Sequence, residues 1–352
     1  MDVLDASDSR LANLTQWVVE DLGFAGASIA PASADASFRR YFRVTRDADS
    51  YIVMDAPPDK EDSRPFLKVA RILGGLDLNV PIILARDMER GFLLLSDLGS
   101  QQYLDALRLD GAADELYADA LKSLRIMQTA DESISRDLPQ YDRAMLLREM
   151  ELLPEWFLTR HLGLTIEPPE RAMLDRLFES LVEAAVSQPA CFVHRDYHSR
   201  NLLVTPRNNP GILDFQDAVW GPVTYDLASL LKDCYIAWPP ARVRQWVLEY
   251  RERLLEAGFK LNCDAGQFMR WFDLTGLQRH IKVLGIFARL FYRDGKSQYL
   301  KDLPRVLAYV RDTALKYPET LAFSEFIAGR VDGAFQAAQQ RVLLTRNTRT
   351  GP

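Results

Sequence analysis

Hydrophobic positions follow two regimes along the 352-residue chain. Up to about residue 98 they come in short β-prone runs, Tyr41–Val44, Tyr51–Met54, Ile82–Leu84 and Phe92–Leu95, each bounded by turn residues, and these predict strands. A helix over Leu11–Leu22 precedes them, and another over Arg64–Leu76 separates the second run from the third. From Gln101 onward the apolar spacing turns helical and predicts long segments near 111–130, 142–161, 168–187, 223–235, 240–257, 265–293 and 317–341. Three short apolar runs interrupt it, Cys191–Val193, Leu202–Val204 and Gly211–Leu213, and read as small buried strands. The expected architecture is an α+β, two-lobed fold: a β-rich N-terminal lobe over 1–98, joined near Ser96–Gly99 to a larger, mainly helical lobe over 99–344 with a short β-hairpin insert. Residues 345–352 lack apolar periodicity and predict a disordered tail.

Charge narrows the partners. A net charge of −6 lacks the concentrated Lys and Arg excess that nucleic acid or an anionic membrane would need. The three cysteines, Cys191, Cys234 and Cys263, have no metal-type spacing and cannot all pair, so they read as free thiols of a reducing compartment. The acidic start MDVLDASDSR has neither the basic region nor the apolar core of a secretory signal, and no apolar run approaches the roughly 18 residues of a membrane span. The expectation is a cytoplasmic protein with a small-molecule partner.

Candidate chemistry concentrates in HRDYHSRN, residues 194–201, between the first two central strands. An aspartate on such a loop can accept a proton from an attacking hydroxyl, and an asparagine five residues on can reach a metal beside the same phosphate. Asp196 and Asn201 have that spacing, and Asp214, at the end of the next strand, supplies a second carboxylate for Mg²⁺. Each residue alone is more often a turn former or a structural group. Their order, strand, His-x-Asp-x4-Asn, strand, turn, strand, Asp-Phe, is what carries the reading.

VHRDYHSRNLLV and GILDFQDAVWGPVTYDLASLL resemble the catalytic core of the aminoglycoside phosphotransferase family, protein-kinase-like enzymes that phosphorylate small molecules using ATP and Mg²⁺. The resemblance covers most of the chain and implies a protein-kinase-like fold. It makes Asp196 the catalytic base, Asn201 and Asp214 the Mg²⁺ ligands, and His194 and Asp226 supports of the loop. His198 stands where protein kinases usually carry lysine; it would lie near the phosphates or act as a hydrogen-bonding brace of the loop.

In the first lobe, PASADASFRR (residues 31–40), with Ser37 within it, supplies small residues where a nucleotide loop would lie, without a G-x-G-x-x-G. By the resemblance, a phosphate-binding cation should end the next strand, but Met54 and Asp55 stand there, and a bare Asp55 would repel ATP. Either Arg39, Arg40 or Arg43 substitutes or nucleotide affinity is weakened; three clustered arginines favour substitution. FLLLSDLG resembles the hinge whose backbone, Leu95 to Asp97, would contact adenine.

For the acceptor, Arg279, Lys282, Arg289 and Arg293 fall within an arc of about 80° at roughly 100° per helical residue. They form either a solvated stripe or the wall of a pocket for an anionic substrate. Asp233, Tyr235 and Trp238 form either a sugar platform or an aromatic-packed helix end. PASADASFRRYFRV, LLSDLG and LLKDCYIAWP are similar to the branch of the family made up of bacterial anomeric kinases of N-acetylmuramate and N-acetylglucosamine in cell-wall recycling. The alternatives are a kinase of another small hydroxyl compound, such as an aminoglycoside, a choline-like alcohol or homoserine, and a pseudokinase without turnover.

Overall fold

A computed structural model describes residues 8–34, 38–108 and 113–349; Ser37 lies outside them. The chain divides into two compact units, Met1–Leu116 with Asn201–Asp217, and Tyr117–Arg200 with Ala218–Pro352.

In chain order, α1 (Ser9–Gln16) continues as a π-helical stretch, Trp17–Asp21, into β1 (Ser28–Ala34), β2 (Arg40–Arg46) and β3 (Asp49–Asp55). Then come α2 (Arg64–Gly75), β4 (Ile83–Asp87), β5 (Phe92–Ser96), α3 (Tyr103–Ala106), α4 (Ala113–Gln128), α5 (Arg143–Met150), a π-helical Leu153–His161, and α6 (Pro168–Val186). The centre holds β6 (Ala190–Val193), β7 (Leu202–Leu203), β8 (Gly211–Ile212) and β9 (Val219–Pro222). Helices α7 (Tyr225–Leu231), α8 (Pro240–Glu256), α9 (Ala265–Tyr292), α10 (Leu303–Ala314), α11 (Leu321–Phe326) and α12 (Asp332–Arg349) complete the chain. Strands β1 and β9 and helices α3 and α10 are additions to the elements expected from periodicity. Helix α12 extends five residues into the stretch expected as a tail, and residues 350–352 lie outside the described ones.

Unit 1 is built on an antiparallel sheet of order β1-β2-β3-β5-β4. Alternation along the strands gives it two faces. Phe42, Val44, Val53, Phe92 and Leu94 point to one face and pack on Leu14, Trp17 and Val18 of the N-terminal helix. Burying such side chains stabilises the unit by roughly 1.5–3 kcal/mol each. The helix is placed by its cap, because Leu11 N donates to Asp8 Oδ1 at 3.0 Å. Met54, one residue along from Val53 on β3, belongs to the opposite face. The hairpin β7–β8 joins this unit through Val204 N, which donates to Gln101 O (2.8 Å), and Ile212 N, which donates to Asn79 O (2.8 Å).

Unit 2 is organised on α9, about 42 Å long at 1.5 Å per residue. It is buried almost all round from Phe268 to Leu290. A Cβ on Gly285 would lie 2.4 Å from the backbone carbon of Leu152, so only glycine permits this approach of α9 to the end of α5. Strand β6 pairs with β9, rather than with the hairpin strands that follow it in sequence. Cys191 and Cys234 are buried, Cys263 is half-buried, and all three are free thiols. Among the described residues no helix is long and apolar enough to cross a membrane.

Candidate active site

In unit 2 the loop after β6 is held from beneath by buried carboxylates. Asp226, the second residue of α7, accepts from His194 N at 2.6 Å and Arg195 N at 3.0 Å. Burial drives its pKa up, against those two donors, to about 7. Asp233, wholly buried, accepts from Ser199 N at 2.9 Å, Ser199 Oγ at 2.5 Å and Tyr235 N at 2.8 Å. Tyr197 donates to Ala120 O at 2.8 Å, and Asp196 N donates to His194 Nδ1 at 3.3 Å. His194 and Asp226 thus stand where supports of the loop would, and Asp233 joins them: its Oδ2 holds Ser199 of the loop and its Oδ1 the backbone N of Tyr235, a correction to its expected place among substrate contacts.

Asp196 keeps partial exposure while its supports are buried. Burial pushes its carboxyl up, but Lys282, His198, Arg279 and Arg195 outweigh that and hold it at about 2. The preceding residue, Arg195, has φ 77°, a left-handed conformation that non-glycine residues adopt only under constraint. His198 is buried, which lowers its pKa and favours the neutral ring. The ring packs edge-on to Tyr235 (5.4 Å between centroids), and Nδ1 has no hydrogen-bond partner among the described residues.

In unit 1 the strand pair β7–β8 sets Asn201 and Asp214 side by side. Leu213 N donates to Asn201 O at 2.9 Å, and Asn201 Nδ2 donates to Asp214 Oδ2 at 3.2 Å. Gln216 Nε2 donates to Asp214 Oδ1 at 2.6 Å, and Phe215 is stacked on Phe66 (4.9 Å). Asp214 is itself left-handed at φ 62°. An amide and a carboxylate, both half-exposed, are the hard oxygen donors that suit Mg²⁺, which takes one or two protein ligands and completes its shell with phosphate and water. Among the described residues no cluster of three His, Cys, Asp or Glu side chains offers an all-protein metal cage.

The N-terminal sheet alters the expected nucleotide contacts. Asp55 is not a bare acid beside the phosphates. It faces the α1 side, is wholly buried, and is held by Arg10 (Nε at 3.0 Å) and Arg40 (2.6 Å). Arg40 also pairs with Asp8. It lies on the wrong face to replace a cation at Met54, which corrects its expected role. Arg43, on the Met54 face, is bidentate on Asp97 at 2.6 and 3.1 Å and donates to Gly99 O at 3.2 Å. Asp97 also accepts from Ser50 Oγ and from Gly99 N at 2.9 Å, so the Arg43–Asp97 pair ties β2 to the turn after β5. Leu95 is buried and paired on both sides, to Ile52 and Ile83. Arg39 forms an ion pair with Glu61 at 3.1 Å.

The expected cationic stripe is not a surface. Arg279 and Lys282 are 3% and 8% exposed, Arg289 is half-buried, and Arg293 lies outside, paired with Asp294 at 2.7 Å. Both sides of α9 are covered at this point, so the charges sit within the fold. Lys282 is bound by Glu149 at 2.9 Å and donates to Tyr225 at 3.2 Å. Among the described residues Arg279 has one hydrogen-bond partner, Cys234 Sγ, at 3.7 Å. Tyr235 and Trp238 belong to separate clusters. Tyr235 packs with His198, Phe287 and the Arg200 guanidinium, whereas Trp238 donates to Tyr117 at 2.8 Å, packs edge-on to Trp246 and is covered by Arg242. Glu149 was absent from the sequence reading. Its signal is a lone acid on the apolar helical face of Leu146, Met150 and Leu153.

A model of the phosphotransferase enzyme family (APH) matches residues 28–271. The N-acetylmuramate/N-acetylglucosamine kinase of Pseudomonas aeruginosa is 49% identical over 339 residues, 94% of this chain and 99% of that protein. The enzyme of the same name from Pseudomonas putida is 46% identical over 338 residues, 93% and 98%. Among solved structures, an ADP-bound aminoglycoside phosphotransferase superposes with a TM-score of 0.58 at 17% identity, covering 88% of this chain and 99% of that one. With the loop motif, the strand-rich sheet and the helical remainder, these matches show that the chain belongs to the phosphotransferase enzyme family, with its protein-kinase-like fold.

Proposed function

We propose that the protein is an ATP-dependent kinase that phosphorylates the anomeric C1 hydroxyl of N-acetylmuramate and N-acetylglucosamine, a step in peptidoglycan recycling. The observation that carries this reading is its 46% and 49% identity, over more than nine-tenths of the chain, to kinases named for those two sugars. The local chemistry supports it. Asp196 orients the acceptor hydroxyl and takes its proton. At about 2 its carboxyl is a weak base. An anomeric hydroxyl suits it, being more acidic than an ordinary alcohol because a second oxygen shares its carbon. Since phosphoryl transfer passes through a loose transition state, orientation outweighs base strength.

Asn201 and Asp214 would hold Mg²⁺, which would supply neutralisation of the charge developing on the transferred phosphoryl. Arg39, exchanging its ion pair with Glu61 for the phosphates, supplies the cation missing at Met54, because Arg40 faces away and Arg43 is held by Asp97. The backbone of the hinge after Leu95 takes the adenine. Arg279 takes the lactyl carboxylate of N-acetylmuramate: it is a buried guanidinium whose one hydrogen-bond partner among the described residues is a thiol at 3.7 Å. The same group disfavours a polycationic aminoglycoside.

The test is ³¹P NMR on the products of MgATP with N-acetylmuramate, N-acetylglucosamine and an aminoglycoside. An acid-labile anomeric phosphate from the first two is expected. A stable ester on another hydroxyl, or preferred turnover of the aminoglycoside, overturns the reading.

A further inference from the structure

We infer that Arg200, with the rings of Tyr235 and Tyr299, forms the subsite for the acetamido group that N-acetylmuramate and N-acetylglucosamine share, so that Arg200 determines specificity for both sugars. This rests on the proposed reaction at the C1 hydroxyl, with Asp196 as the orienting carboxylate.

The cluster is built onto the loop itself. His198 N donates to Asp196 O at 3.1 Å, the bond of a three-residue turn that sets His198 beside Asp196. The His198 ring meets Tyr235 edge-on, with 5.4 Å between centroids. Tyr235 packs on Phe287 at 6.1 Å, and Phe287 on Tyr299 at 5.2 Å. Arg200 closes the circle: its guanidinium lies 4.7 Å from the centre of the Tyr235 ring and 5.9 Å from that of Tyr299. Phe287 is buried, whereas Tyr235, Tyr299 and Arg200 are half-exposed.

Arg200 differs from the arginines around it. Arg195 and Arg305 are ion-paired, with Glu149 and Asp302, and Arg200 has no ion pair among the described residues. Burial works against its charge, and Tyr235, Tyr299 and Asp302 outweigh that. A guanidinium laid on a ring keeps its N–H donors in its own plane, where a planar acceptor can meet them. Donors and apolar ring surface are thus offered side by side.

An acetamido group has the matching halves, a carbonyl oxygen that accepts and a methyl that prefers an apolar contact. The connectivity of the sugar selects it over the lactyl group. C2, which carries the acetamido group, adjoins C1, so a carboxylate that holds the C1 hydroxyl has the C2 substituent as its nearest bulky neighbour. The lactyl group, on C3, lies one carbon further away. Arg200 therefore donates to the acetamido oxygen, and the tyrosine rings take the methyl.

The experiment compares R200M with the wild type on N-acetylglucosamine, N-acetylmuramate and glucose, which has a hydroxyl in place of the acetamido group. Glucose is read as turnover or as competitive inhibition, and folding is checked by circular dichroism. R200M should lower kcat/KM for both acetylated sugars by the same factor, roughly 10- to 100-fold for one charged hydrogen bond, and leave glucose and the KM for ATP nearly unchanged. The inference is overturned by near-normal kcat/KM for the acetylated sugars, by a loss confined to N-acetylmuramate, by an equal loss for glucose, or by a matching rise in the KM for ATP. A wild type that does not prefer N-acetylglucosamine to glucose also overturns it. If R200M does not fold, R200K, which keeps the charge but not the planar fork, decides by the same comparison. The ³¹P spectrum of the products separates the two levels. No anomeric phosphate from the wild type removes the functional reading and this inference with it, whereas an anomeric phosphate formed equally well by R200M removes only the inference.

Discussion

Arg40 and Asp55 are directly opposite in the β2–β3 register and form an ion pair at 2.6 Å on the face of the sheet covered by α1. With Arg10 they close a charge cluster that ties the N-terminal helix to the strand ending at Asp55. D55N should destabilise the protein by about 2–4 kcal/mol, because two arginines lose the buried acid they share. R40A should also cost stability but leave the KM for ATP unchanged. Thermal unfolding with ATP titration checks both, and a raised KM in R40A would return this arginine to the nucleotide site.

Removing the carboxylate of Asp196 while keeping its shape should lower turnover roughly 10²- to 10⁴-fold without unfolding the protein. Steady-state kinetics of D196N with either sugar gives the answer; near-normal kcat excludes it from the mechanism.

Gln216 donates to Asp214 at 2.6 Å and fixes the carboxylate's orientation. Partners of metal ligands typically contribute 10- to 100-fold in affinity, so Q216A should raise the Mg²⁺ concentration for half-maximal rate by about that factor while kcat at saturating metal changes less. An unchanged Mg²⁺ dependence would count against Asp214 as a ligand.

Arg279→Met should lower kcat/KM for N-acetylmuramate more than for N-acetylglucosamine, since only the first carries a carboxylate. A difference of roughly tenfold or more matches one charged hydrogen bond. Equal losses for the two sugars would assign Arg279 to loop support alone.

Two buried histidines make stability depend on pH. Burial lowers His161 to about 4 and His280 to about 3, both below the ordinary histidine value of 6.5. Unfolding lets each take up a proton, so their contribution is complete above pH 6.5 and is lost as pH falls toward 4. Asp226, raised to about 7, acts in the opposite sense over the same window. His198, also lowered by burial, adds to the histidines' side, so acidification brings a net loss on the order of 1 kcal/mol or more per pH unit. Denaturation at pH 7.5 and 5.0 measures it. H280Q, which can still reach Lys232 O, should flatten the slope, and a slope unchanged in H280Q would contradict this assignment.

The strands of the N-terminal sheet and the principal helices were legible because their periods are strong. Strand β1 was hidden by Pro31 and its run of small residues, and β9 by Gly221 and Pro222, which weaken any strand pattern. Asp196, Asn201 and Asp214 were legible because their spacing is local. The fate of the cations was not. Arg40, Arg43, Arg279 and Lys282 are claimed by carboxylates, a hinge carbonyl and a thiol far away in sequence, and helical projection cannot tell a solvent face from a second buried one when α9 is enclosed on all sides.

The left-handed backbone at Arg195 sets local strain against a buried ion pair at one position. Glycine would adopt φ 77° without the roughly 1 kcal/mol or more that a side chain costs there. It would also delete the guanidinium that ties the loop to Glu149. Removing one partner of a buried ion pair costs about 3–5 kcal/mol, more than the strain relieved, so R195G should be the less stable protein and the strained arginine is retained at a net gain.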